Sequence, residues 1–283
     1  MFRVFQAHIF PYPSIDSLRL EDNQPDPYLL FTIKDQSGSV VRHLKAPAKK
    51  GLQRMVWDFR YGTPASVTNR STPAPDQLFG GTEDGHLAMP GQYTVTLSKY
   101  EDGNLMELTS PVTFTCKLLE HSSIPTDMSA NVNFYRKVSD LRKAVIAAND
   151  LFKTMNQRVR NIHLAIHDMP AQAKDLLEQA HAANQKLISI RLKLLGDQTR
   201  SQREFEIIPS INDRVSGIEG SVWNSTAPIP KIYTESYTVA AKQFALVLTD
   251  MRKVEADILK LEKELEVNGA PYTPGRWPDW NEK

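Results

Sequence analysis

"FYRKVSDLRKAVIAANDLFKTMNQRVRNIHLAI" spans residues 134–166, and its reading settles half of the fold. Phe134, Val138, Leu141, Val145, Ala148, Phe152, Met155, Val159, Ile162 and Ile166 step by four and three without a break. That period places them on one stripe of an α-helix, the a/d seam of helices crossing at a shallow angle. The stepping returns in Ala173, Leu176, Ala180, Ala183, Leu187, Ile190 and Leu194, and in a shorter run from Ile208 through Ile211, Val215 and Ile218 to Val222. A fourth run goes from Tyr237 through Ala240, Phe244, Val247, Met251, Val254, Ile258 and Leu261 to Leu265. At 1.5 Å per residue the first and last helices reach roughly 50–60 Å. Pro170 and Pro230 suit helix starts, where a missing N–H costs little, and Gly196 and Gly269 suit helix ends. Short connections favour antiparallel neighbours. Residues 126–268 are therefore expected to form an antiparallel four-helix bundle.

Upstream of Pro125 the period changes. "PYLLFTIKD" (27–35), "SVVRHLKA" (39–46), "QRMVWDF" (53–59), "QYTVTLSKY" (92–100) and "SPVTFTCKL" (110–118) are short and rich in β-branched and aromatic residues. "DQSG", "KKG", "MPG" and "EDGN" supply turns between or beside them. Such spacing predicts a small antiparallel sandwich over residues 26–120, near the size of an immunoglobulin-like domain. A Pro-, Ser-, Thr- and Gly-rich stretch at 61–91 interrupts it as a surface loop. Residues 1–25 read as an N-terminal extension and 269–283 as a tail rich in Pro and Trp.

Composition narrows the function classes. A net charge of +1 on 283 residues argues against general nucleic-acid affinity, which needs a concentrated basic face. No run reaches the roughly 18 apolar residues of a membrane span. Cys116 is the sole cysteine, so an intrachain disulfide and a thiolate-rich metal site are excluded. The first residues show no export-signal pattern, so the chain is expected to be intracellular or to follow an upstream signal in a longer protein.

The motif residues of the β half have structural explanations. Asp35 and Gly38 bracket a turn in which Asp caps its own backbone and Gly supplies positive φ. The alternation Met55-Trp57-Phe59 makes Trp57 a core aromatic of the sandwich and sends Asp58 to the other face or back to a loop. Pro90-Gly91 fixes the turn into the strand of Tyr93, Val95 and Leu97.

A glycosidase needs two carboxylates about 5–10 Å apart. The acids available in the β half are Asp58, Glu83, Asp84, Glu101 and Asp102, and the last four lie in the turn sequences "TEDGH" and "YEDGN". His163 and His167 stand one helical turn apart but lack the "HExxH" Glu, so no metal or cofactor set is assigned. The basic cluster of "APAKKG" with Arg42 and Arg54 is too small and too poor in aromatics for a nucleic-acid groove. Arg136, Lys137, Arg142, Lys143, Lys153, Arg158 and Arg160 read as a solvated helix face. Trp277 and Trp280 in "RWPDW" are the candidate ligand contacts, suited to stacking on sugar or a partner.

Asp35, Gly38, Val40–Arg42, Gly51, Trp57-Asp58 and Pro90–Tyr93 carry a resemblance. The span "FTIKDQSGSVVRHLKAPAKKGLQRMVWDFRY" with "LAMPGQYTVTL" resembles the immunoglobulin-like module of flagellar hook-capping proteins. "YPSIDSLRLED" (12–22) and "NGAPYTPGR" (268–276) extend it. Nearly the whole chain is similar to the C-terminal region of large secreted bacterial proteins with a sortilin-type β-propeller, often labelled glycosyl hydrolase or BNR-repeat proteins. Ile15 stands where that pattern has Trp. The resemblance implies a non-catalytic structural or interaction region supporting an upstream propeller, in an extracellular or periplasmic setting, with any hydrolase activity in the upstream domain. The alternative it leaves is a carbohydrate-contacting accessory module of a glycosyl hydrolase.

Overall fold

The computed structural model describes residues 12–64, 85–118, 127–169, 174–277 and 280. The chain divides into two compact units, Met1–Phe59 with Pro90–Leu118 and Arg60–Met89 with Leu119–Lys283.

The first unit opens with the exposed helix α1 (Ile15–Asp22), capped by the Ser14 side chain. Five strands follow: β1 (Tyr28–Asp35), β2 (Val40–Pro47), β3 (Gly91–Glu101), β4 (Asn104–Glu107) and β5 (Val112–Cys116). All pair antiparallel in one sheet of order β2-β1-β3-β4, with β5 beside β4 on the same edge of β3. The first hairpin turns as its chemistry dictates. The Asp35 carboxylate accepts from the Ser37 and Ser39 N–H at 2.9 and 3.1 Å, and Gly38 sits at φ +81°. Asp102 and Gly103, at φ +54° and +80°, make the tight two-residue turn into β4 whose twist matches that of the strands.

Residues 53–59, expected as a strand, pair with no other strand, so the described residues make one sheet rather than the two layers of a sandwich. Phe59 is left-handed at φ +58°, which breaks the extended backbone there. The aromatic residues of the segment serve as cover instead. Trp57 lies edge-on to Tyr93 and Phe114, with ring centroids 5.3 and 5.8 Å away, and it packs on Phe59 at 5.0 Å. It is half-buried, not the enclosed core aromatic expected from alternation, while Tyr93 beneath it is 3% exposed.

The second unit is helical: α2 (Met128–His167), α3 (Lys174–Leu195), α4 (Gln198–Ser201), α5 (Ile211–Val222) and α6 (Lys231–Val267). Asp127 caps α2 by accepting from the Ser129 and Ala130 N–H. Ser210 and Asp213 form a reciprocal capping box that starts α5. Ile208, expected to begin that helix, lies before the cap and is 82% exposed. The seam residues of α2, α3, α5 and α6 from Val145 to Leu265 merge into one apolar core, and Tyr135, Val138, Ile218, Val222 and Trp223 form a second cluster.

Cross-helix pairs fix the directions. Phe134 meets Tyr237 and Arg158 meets Glu255 and Glu262, so α2 and α6 run parallel. Lys186 pairs with Asp257 and Lys193 with Asp250, so α3 opposes α6. Arg142 pairs with Glu219 while Tyr135 reaches Ser225, so α5 opposes α2. This corrects the antiparallel four-helix bundle, in which the first and last helices would oppose each other. At 1.5 Å per residue α2 and α6 run about 60 and 55 Å, and α3 and α5 together about 50 Å. The two shorter helices thus follow one another along the long pair, giving about three helices in cross-section. Residues 196–210, with α4, form the excursion between them.

Candidate functional site

The most elaborate polar and aromatic grouping lies in the helical unit, at the two described ends of the 61–91 stretch. Arg60 bridges Leu87, the Tyr61 N–H donates to the His86 carbonyl at 2.9 Å, and the Gly85 N–H returns to the Tyr61 carbonyl at 3.2 Å. The clip is tight: a Cβ on Gly85 would lie 2.6 Å from that carbonyl oxygen. The stretch was expected to be a surface loop of the β half, yet both these ends belong with the helices. Its residues 65–84, including the candidate acids Glu83 and Asp84, lie outside the described residues, as do Pro125, Pro170 and Ala173.

The His86 ring is 2% exposed. It stacks on Tyr61 at 4.2 Å and faces Tyr135 at 5.6 Å and Trp223 at 6.2 Å. Nδ1 lies 3.0 Å from the Leu87 carbonyl, to which a neutral ring donates. Burial lowers the His86 pKa to about 4; the Leu87 contact opposes that shift, and Arg136 and Lys143 reinforce it. Arg136 Nη2 donates to the Tyr61 hydroxyl at 3.1 Å, and the Tyr135 hydroxyl donates to the Ser225 carbonyl at 3.0 Å. The buried Trp223 Nε1 has no partner among the described residues. A neutral imidazole held by stacking and one carbonyl, beside two cations, is suited to clasping two chain segments onto the helices. It is poorly placed to move a proton at neutral pH.

The sequence-predicted residues are scattered over the β unit. Asp35 and Gly38 build the first turn, Arg42 is half-buried on β2 opposite Ile33, and Gly51 is exposed at φ +109°. Asp58 is exposed, and Pro90 and Gly91 lead into β3. The fold brings Trp57 against Tyr93 and sets Asp35 opposite Tyr93 across β1 and β3. Glu101 accepts from Lys99 at 2.7 Å and Asp102 occupies the β3–β4 turn. Trp277 and Trp280 are 91% and 79% exposed. His167 bonds to its neighbour Asp168, and the described residues contain no group of three His, Cys, Asp or Glu able to hold a metal. Burial pushes the Cys116 thiol up, away from the reactive thiolate.

Three arginines assigned to a solvated face prove to be pairing residues. Arg158 reaches Glu262 with Nε and Nη2 at 2.8 and 2.7 Å and Glu255 with Nη1 at 2.6 Å, tying α2 to α6. Those contacts hold its guanidinium firmly protonated. Arg142 bonds Glu219 at 2.9 Å and Asn212 at 2.9 Å, and burial nevertheless raises the Glu219 pKa. Arg136 joins the clasp. Arg142 and Arg158 adjoin the seam positions Leu141 and Val159, and that adjacency was the available signal for those two. The His86 clasp had none, because its partners are distant in sequence and it interrupts no period.

Comparison of the chain with protein-family models, with curated proteins and with solved structures returned no match.

Proposed function

We propose that this chain is a non-catalytic structural and interaction region of a larger secreted protein, supporting an upstream β-propeller. One observation carries the reading. At one edge of the sheet Leu105, Met106, Leu108 and Val112 are 57, 58, 43 and 58% exposed, within a stretch of eight residues. Met106 and Val112, opposite Lys99 and Val95, share one face of the sheet and Leu105, opposite Tyr100, takes the other; apolar side chains exposed along one edge are suited to burial against another folded surface. The resemblance to the C-terminal regions of sortilin-type propeller proteins supplies the partner, and the immunoglobulin-like module supplies the comparison for the sheet. The secreted setting follows from the same resemblance. The test is sedimentation of the purified chain mixed with a separately produced sortilin-type propeller. A complex weakened by Val112→Asp and Met106→Asp supports the reading, and free sedimentation of both proteins rejects it.

A second reading rests on Trp277 and Trp280, whose exposed indoles are suited to stacking on sugar rings. Calorimetry with plant and host oligosaccharides tests it. Binding that Trp277→Ala and Trp280→Ala abolish favours a carbohydrate-contacting accessory module. Hydrolysis of those sugars, lost on Asp58→Asn, contradicts both readings.

A further inference from the structure

We infer that the outer edge of β2, with the basic segment that follows it, docks an extended acidic polypeptide strand. From Gln36 to Trp57 the chain carries five Lys and Arg residues and no Asp or Glu, in a protein whose net charge is only +1. Lys49, Lys50 and Arg54 are exposed and pair with no carboxylate among the described residues. Lys45 is exposed too, with its ammonium 4.4 Å from the centre of the Tyr28 ring.

The backbone points to the same place. β2 ends the strand order, so among the described residues one side of it has no strand partner. Alternate N–H and C=O groups along such an edge are directed outward and are able to pair with an added strand. Arg42 lies opposite Ile33 and Lys45 opposite Leu30, three residues apart, so these two cations of β2 fall on opposite faces of the sheet. A strand laid beside β2 projects its own side chains to both faces and so meets both. An anionic polysaccharide lying on one face meets only part of the set and offers no backbone amides. A second copy of this edge is disfavoured, because it would bring like charges into opposition. Lysines that guard an edge against self-pairing thus leave it open to a strand of opposite charge. This surface lies at the other side of the sheet from the apolar corner, so failure of either proposal leaves the other standing.

The test uses the full, isotope-labelled chain and a ten-residue peptide alternating Glu and Val. Saturable binding at low salt is expected, with new amide protection confined to β2 and weakening as salt screens the charges. The alternating Lys-Val peptide should not bind. The exposed triple variant Lys49→Glu/Lys50→Glu/Arg54→Glu, with an unchanged melting temperature, should lose about tenfold or more in affinity. Absence of saturable binding, equal binding of the Lys-Val peptide, or protection appearing elsewhere would overturn the proposal. So would binding of polygalacturonate in its place that leaves the β2 amides unprotected.

Discussion

Leu187, Ile190 and Leu194 on α3 are 1, 2 and 0% exposed, whereas on the sheet Val95 and Leu97 are only half-buried and Val112 is 58% exposed. The contrast follows from geometry. Each stripe of a helical bundle faces its neighbours, so three helices in cross-section close a core by themselves. A sheet has two faces and needs a layer on each. In the β unit the described residues lay Trp57 and its neighbours over part of one face. The other face carries a smaller arrangement: Tyr28 stacks on Tyr100 at 4.8 Å, and Thr32 bonds His43 at 3.1 Å. Among the described residues the helical unit thus closes its own core, whereas the β unit leaves apolar side chains of its sheet exposed.

The largest effect that separates the two regions is truncation of a seam residue. Leu261→Ala, at a position 1% exposed, is expected to cost about 2–5 kcal/mol in denaturant unfolding followed by helical circular dichroism. Val112→Ala should cost about 0.5 kcal/mol or less. Equal losses would erase the distinction.

The clasp comes next, and its effect depends on pH. Its histidine has a folded pKa near 4 against 6.5 when free. Stability that is fully present above pH 6.5 is therefore lost as pH falls through the window to about 4, and it changes little below that. Each unit within the window should favour clasp opening about tenfold, for about 3 kcal/mol in all. Hydrogen exchange of the Tyr61 amide across that range reads it, and His86→Gln should flatten the profile. A wild-type profile already flat would show that the ring is not held neutral.

Arg158→Met should cost about 2 kcal/mol, since it leaves Glu255 and Glu262 without their shared guanidinium. Adding Glu262→Gln should recover part of that, and a double variant no better than the single one would mean that the ion pairs do not couple α2 to α6. On the sheet, Trp57→Ala is expected to fall between Leu261→Ala and Val112→Ala. A half-covered indole should cost about 1–3 kcal/mol, below the roughly 3–5 kcal/mol of an enclosed aromatic.

The long seams were readable in the sequence because each helix repeats one physical demand, an apolar residue at every third or fourth position. The strands around Phe31, Leu44, Val95 and Phe114 were readable by composition and by the turns at Asp35-Gly38 and Asp102-Gly103. Residues 53–59 misled because Met55, Trp57 and Phe59 alternate as a strand does, while the segment pairs with no described strand and instead lays Trp57 against Tyr93 and Phe114. The number of helices in cross-section was hidden as well. Periodicity shows which face of a helix is buried, whereas the interruption between α3 and α5 decides whether they lie side by side or in succession. Of the proposed contact surfaces, the basic stretch and the Trp tail stood in the sequence, but the exposed apolar corner needed the strand pairing to bring β4 and β5 to one edge.

Hydrogen exchange on the full chain, alone and with a sortilin-type propeller, tests the account most directly. Alone, amides of α2, α3 and α6 should exchange only through global unfolding of their unit, and those of residues 104–116 should exchange much faster. With the propeller present, residues 104–116 should slow and the helices should stay as they were. Slowing confined to the helices, or no change anywhere, would contradict the claim that the sheet is the surface this chain offers to its partner.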